Sequence, residues 1–425
     1  MRVGVGIIGG GTVGGALARK LLDDREVIAA KSGVDLELIG VAVRDPSKAR
    51  PFPPEYVTTA LESLVSDSRV NLVVELMGGI EPARSLVLSA LSVGKPVVTA
   101  NKALLAEHGP EIFGTAAESG VSVLFEAAVG GGIPLIRPLS ESLAGERITQ
   151  VLGIVNGTTN YMLHRMESEG LGYSQVLEDA QRLGFAEADP SADVEGHDAA
   201  AKATILAGLA FGTWVPFDTV YREGIDGIDA DDISYAASLG YSVKLLAIAE
   251  AIDGGVSVRV HPALVPLDHP LATVRGANNA VFVEGPAIGQ LFFMGPGAGG
   301  DPTATAALGD VIDAGREFLA GTKVVPRIRL GEGRIVDFSE VATKWYLRLI
   351  VKDQPGVLAS IASIFGENDV SIKQMWQEGR GSEATLLIIT HDASESCHRA
   401  AVEGLRDLDT VRQVAARLRV VSSEP

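Results

Sequence analysis

Six residues near the start of the chain restrict its fold more than any other feature. Gly9-Gly10-Gly11-Thr12-Val13-Gly14 has the spacing G-x-G-x-x-G, follows the apolar run Val3–Ile8 and opens the helical pattern Val13–Leu22. Glycines there let the backbone turn tightly and come close to a pyrophosphate, whose charge rests on the helix N-terminus. A generic strand-to-helix turn is the competing reading. Position and flanks both favour the phosphate cradle, with Gly9, Gly11, Thr12, Val13 and Gly14 as its binding residues.

The surrounding pattern agrees. Leu36–Val43, Asn71–Leu76, Pro96–Thr99 and Val121–Phe125 are Val-, Ile- and Leu-rich without polar alternation, as strands covered on both faces of a parallel sheet are. Helical stretches lie between them, so residues 1–135 are expected to form a doubly wound α/β domain of Rossmann type. Residues 136–300 mix polar-alternating strands with helices and suggest an α+β substrate domain, which the resemblance described below also makes the dimerisation domain. A helical pattern at residues 301–325 is expected to return to the first domain. After a linker at about 321–343, residues 346–421 follow a βαββαβ order. A length of 425 residues suits such a division at ~150 residues per domain.

Composition narrows the function. With 36 Lys+Arg against 54 Asp+Glu, the net charge of −18 argues against a general nucleic-acid binder. The longest uncharged apolar stretch, 203–217, is too short to span a bilayer and contains Pro216, so no membrane association is expected and a cytoplasmic protein is the default. The single cysteine, Cys397, allows no intrachain disulfide and no cysteine-based metal cluster.

Several residues have chemistry worth placing. The second strand ends at Val43-Arg44; a cation there suits a 2′-phosphate, so NADP is favoured over NAD, with NAD use possible. Lys102 follows the strand Pro96–Thr99, at the sheet edge where ligands bind. Asp198 and Lys202 stand at i and i+4 on an otherwise apolar helix, where a lysine wants a partner and a purpose; a surface ion pair is the plainer alternative. Glu126 precedes the glycine-rich run Gly130-Gly131-Gly132, a carboxylate beside backbone carbonyls that suits a hard cation, although a plain interdomain turn is the better reading of these residues alone. A second glycine-rich loop ends at Gly300 and opens a helix; the loop can close over the cofactor or be a simple connection.

Together, the segments GGGTVGG, VTANKALLA, FEAAVGGGIP, VNGTTNYML, GFAEADPSADVEGHDAAAKATILA and GPGAGGDPTA, in this order, resemble homoserine dehydrogenase over roughly residues 1–330. The segment from Lys352 to Leu358, with its βαββαβ setting, resembles an ACT regulatory domain. The resemblance implies NAD(P)-dependent interconversion of L-homoserine and L-aspartate 4-semialdehyde in threonine, methionine and isoleucine synthesis. It makes Lys202 the proton donor, with Lys102 near nicotinamide and substrate and Asp198 at the substrate hydroxyl or at Lys202 itself. It gives the substrate's amino-acid end to Glu187, Gly157 and Thr158. It also implies a sodium ion held by Glu126 and the carbonyls of Val129, Gly131 and Ile133, and a homodimer or homotetramer. One departure is Gly10, where a larger apolar residue is more usual.

For the C-terminal unit, the helix start at Gly356, Val357 and Leu358 can take a ligand carboxylate, with Asn368 completing the pocket through its amide. The resemblance makes L-threonine that ligand, with a module kept only for dimerisation as the alternative, and removal of residues from about Thr343 onward is expected to leave a folded, active enzyme that ignores threonine. Two rival functions fit less well. An aspartate-semialdehyde dehydrogenase needs a thiol nucleophile, and Cys397 is far in sequence from any cofactor loop. A non-catalytic amino-acid sensor has no use for Lys102, Glu187, Asp198 and Lys202 together.

Overall fold

Strands that alternate with helices and are apolar on both faces form a parallel sheet here. The structure, a computed structural model, describes residues 2–321, 323–324, 326–379 and 381–422. It divides into two units, each built from three separate stretches of chain: 1–151, 201–219 and 283–333 in the first, 152–200, 220–282 and 334–425 in the second.

In the first unit, β1 (Arg2–Ile8), β2 (Asp35–Ala42), β3 (Val57–Thr58), β4 (Leu72–Glu75), β5 (Val97–Thr99) and β6 (Val123–Leu124) pair in parallel, in the order β3-β2-β1-β4-β5-β6. This is the expected doubly wound sheet, with the short β3 added at its edge. The helix Gly300–Ala320 belongs to the same unit. Its Ala304, Ala307, Val311 and Ala314 join Val3, Val5, Leu17 and Leu36 in one buried cluster. Small residues on that face allow close packing, and Gly315 faces Val34 so tightly that a Cβ would sit 2.8 Å from it.

The second unit has a sheet of β7 (Gln150–Ile154), β8 (Tyr241–Ile252), β9 (Gly255–Pro266), β10 (Asn278–Gly285), β11 (Ala342–Lys352), β12 (Ile372–Glu378), β13 (Glu383–Thr390) and β14 (Val411–Val420). Their order is β10-β7-β8-β9-β14-β11-β13-β12. Sequence patterning misses β8 because its residues from Ser242 to Ala249 are all buried and no alternation survives. A signal was nonetheless present: Asp253-Gly254 closes the β8–β9 hairpin, with both residues at positive φ as a two-residue turn requires.

From β11 onward the chain is βαββαβ, with antiparallel β11 between β13 and β14 and the helices Val357–Glu367 and Glu395–Arg406. Trp345, Leu347, Leu349, Ile361, Phe365 and Leu386 fill its core. This module is not an independent appendage. The buried Arg348 guanidinium donates to Asp232 at 2.7 and 3.0 Å and to Asp229 at 2.6 Å. Arg419, also buried, donates to both Glu395 oxygens, to Glu223 and to the Tyr221 hydroxyl. Within the linker, Phe338 is buried against Val336 and Val341 and stacks on His261. Truncation near Thr343 would strand Asp232 and Glu223 without their cations, so the expectation of a simple deletion gives way to a stability cost.

Candidate functional site

The nucleotide cradle lies wholly in the first unit. Gly9 has φ +103°, and a Cβ there would sit 2.5 Å from the Leu76 carbonyl; a Cβ at Gly14 would sit 1.9 Å from the Gly9 oxygen. Both positions need glycine for close approach. Gly11 caps the helix Thr12–Asp23 and faces open space, where a phosphate can be received by the helix N-terminus. Gly300 packs on Thr12, with 3.1 Å between its virtual Cβ and Thr12 Cγ2, so the second glycine loop borders the first. A cavity of about 890 Å³ opens along Gly9–Thr12, Arg44, Lys48 and Arg50.

Arg44 is exposed on this cavity, as a 2′-phosphate contact requires. The neighbouring Asp45 carboxylate takes the Ser47 hydroxyl and amide, which hold its pKa below the usual range. Arg50 was not anticipated. Its guanidinium donates to the carbonyls of Asp45 (2.7 Å), Lys48 (2.8 Å) and Gly10 (3.3 Å), tying the loop after β2 to the glycine turn. That explains the unusual Gly10, where a Cβ would sit 2.7 Å from Val43 and 3.1 Å from Arg50 Nε. No short-range pattern links residues forty positions apart.

Lys102 begins the helix Lys102–Ser119, whose cap is Asn101 Oδ1 accepting from Leu104 N–H at 3.1 Å. Asn101 Nδ2 donates to the Gly79 carbonyl at 2.7 Å. Behind it the buried Glu75 accepts from the Thr99 hydroxyl at 2.6 Å and from the Met77 and Gly78 amides. Burial pushes the Glu75 pKa up, against the pull of these donors. Glu75 thus ties the end of β4 to the end of β5, just before the helix that Lys102 begins. Its sequence signal was an acid ending an otherwise apolar strand, Leu72-Val73-Val74-Glu75.

Lys202 is 8% exposed on the helix His197–Phe211, among buried Ala199, Ala200, Ala203, Ile205 and Leu206. Asp198 stands one turn earlier on that helix and keeps some exposure. In the second unit, Asn156 Nδ2 donates to Asp193 at 2.6 Å and to Asp198 at 3.0 Å. Its Oδ1 caps the helix Gly157–Glu169 by accepting from Thr159 N–H at 2.9 Å. Gly157 is forced by proximity, since a Cβ would meet the Ala277 oxygen at 2.7 Å. The Thr158 hydroxyl donates to the Phe185 carbonyl at 2.7 Å and so holds the loop that carries Glu187. Glu187 itself is exposed.

Two expectations change. The Glu126 carboxylate, 5% exposed, accepts from the amides of Leu135 (2.5 Å), Ile136 (2.8 Å) and Arg137 (3.0 Å). Backbone donors occupy both of its oxygens, so it acts as an anchor for the turn after Ile133 rather than as an open cation ligand. Likewise, Asn368 lies at the end of the helix Val357–Glu367, about 18 Å along the axis from Gly356 at ~1.5 Å per residue. Its amide donates to Ile364 O at 2.8 Å, so within one chain it does not join Gly356, Val357 and Leu358 in a pocket.

Comparison with known proteins bears on this assembly. Residues 9–126 match the model of the homoserine dehydrogenase NAD-binding domain, and residues 134–312 match that of homoserine dehydrogenase. The homoserine dehydrogenase of Corynebacterium glutamicum is 46% identical, covering 98% of this chain and 95% of its own. A crystal structure of a homoserine dehydrogenase from Thiobacillus denitrificans superposes with a TM-score of 0.95 at 41% identity, covering 99% of each chain. A hyperthermophilic archaeal homoserine dehydrogenase in complex with NADPH matches at TM-score 0.63 and 31% identity, over 75% of this chain and 98% of its own.

Proposed function

This chain belongs to the homoserine dehydrogenase family and is an NAD(P)-dependent oxidoreductase acting on L-homoserine and L-aspartate 4-semialdehyde, and from that premise we propose that Lys202 is its proton donor. A reduced nicotinamide, when bound, supplies the hydride for the aldehyde carbon. Lys202 gives its proton to the carbonyl oxygen as that oxygen gains charge, and takes it back in the oxidative direction. The observation that carries this reading is a nearly buried ammonium on an apolar helix, one turn from Asp198, whose carboxylate Asn156 steadies. Asp198 orients the hydroxyl end or Lys202, Lys102 lies at the nicotinamide side, and Glu187 takes the substrate ammonium with Gly157 and Thr158 beside it.

We infer NADP as the preferred cofactor, with Arg44 on the 2′-phosphate and Arg50 shaping the loop that presents it. Sodium is placed by this reading at the carbonyls of Val129, Gly131 and Ile133, with Glu126 fixing their turn. The βαββαβ module serves as an ACT domain that answers to threonine, in a cytoplasmic homodimer or homotetramer. Replacing Lys202 by Ala tests the central role. Turnover is expected to fall by ~10²–10⁴-fold with NADPH affinity nearly unchanged. A variant that keeps more than about a tenth of kcat removes Lys202 from the proton transfer.

A further inference from the structure

β14 meets the rest of its unit along a wedge. It pairs with β11 over most of its length but with β9 only at Arg419 and Val420. From Val411 to Leu418 its other edge has no strand partner among the described residues. A bulge at Ala415, between the register pairs Arg348↔Ala416 and Leu349↔Val414, distorts that edge locally. Between it and the loop 223–228 lies a cavity of about 230 Å³.

The lining has charges of both signs. Arg406, at the end of the helix Glu395–Arg406, and Arg417, on β14, are exposed, and neither forms an ion pair among the described residues. Across the cavity, the exposed Asp226 is also without an ion-pair partner among them, while Glu223 and Asp232 are committed to Arg419 and Arg348. An anion alone would leave Asp226 unanswered, and a cation alone would face two arginines. We propose that this wedge binds a free α-amino acid, its carboxylate on Arg406 and Arg417 and its ammonium on Asp226.

The loop gives an occupied wedge a route to the rest of the unit. Ile225 N–H donates to the Val194 carbonyl at 2.9 Å, and a Cβ on Gly224 would sit 2.3 Å from that same oxygen. Val194 follows Asp193, which shares the Asn156 amide with Asp198. A ligand that shifts the loop therefore acts on the group that holds Asp198; this last step rests on the role proposed above for Asp198, whereas the binding does not. The site is also separate from the helix start at Gly356.

Calorimetry on the full chain, with the standard α-amino acids titrated one at a time, tests the proposal. At least one is expected to bind, and the double variant Arg406→Ala/Arg417→Ala should weaken it by about tenfold or more through lost charge-assisted bonds. Homoserine turnover in the absence of added amino acid should stay within about twofold, because the two arginines are exposed and outside the catalytic set. Leu358→Ala should leave binding intact, and the ligand's amino alcohol and 2-hydroxy acid analogues should each bind at least about tenfold more weakly. Absence of binding by all of them, or binding that survives the double arginine variant, overturns the proposal. Either result is independent of whether Lys202→Ala abolishes turnover.

Discussion

Asn156→Asp isolates the hydrogen bonds that position Asp198. The substitution keeps size and keeps an oxygen able to accept from Thr159 N–H, and Asp caps helices as well as Asn does. It removes the two amide donations to Asp193 and Asp198, at 2.6 and 3.0 Å, and places a third carboxylate against the other two. Hydrogen bonds to charged groups contribute ~1.5–3 kcal/mol each, and both acids are partly exposed, so a joint loss of ~2–4 kcal/mol is reasonable. If Asp198 organises the transition state, kcat/KM for homoserine should fall by ~30- to 1000-fold, at ~1.4 kcal/mol per tenfold. Initial rates of NADP reduction measure it, with thermal unfolding as the control for the retained cap. Asn156→Ala should lose the cap as well, costing ~0.5–2 kcal/mol of stability. A threefold or smaller change in kcat/KM for Asn156→Asp would refute the argument that these bonds set the site.

Other consequences are equally open to measurement. Arg44→Ala should raise the dissociation constant for NADP by ~10- to 100-fold and barely alter that for NAD; equal losses for both would remove Arg44 from the 2′-phosphate. Arg419→Met leaves Glu395 buried beside Glu223 without their shared cation and should cost ~3–5 kcal/mol in denaturant unfolding, with Glu395→Gln in the same chain recovering part of it. Truncation before Ala342 should give a less stable protein than the same truncation with Asp232→Asn and Glu223→Gln, compared by thermal melts. Burial, with help from Arg419 and Arg259, lowers the His261 pKa from 6.5 to about 3. The folded state thus favours the neutral ring, so its stabilising share is present above pH 6.5 and is lost as pH falls toward about 3. His261→Leu should flatten that limb of the stability–pH curve.

Much of the first unit can be read along the chain because its determinants are local. The glycine turn, the strand that feeds it and the helix that leaves it are contiguous, and apolar runs between helical periods imply a parallel sheet whatever the remaining contacts. Asp198 and Lys202 are one turn apart by spacing alone, and the βαββαβ order follows from periodicity. What tertiary structure decided are the partners of polar groups distant in sequence. Glu126 is an anchor because Leu135, Ile136 and Arg137 turn their amides toward it, and Asn368 is spent on Ile364 because a helix separates it from Gly356. Arg50 reaches Gly10 across forty residues, and Arg348 reaches Asp232 and Arg419 reaches Glu223 across more than a hundred. Backbone periodicity is a property of neighbours in sequence, whereas a buried charge must find whichever counter-charge the fold brings near, and no local pattern encodes that meeting.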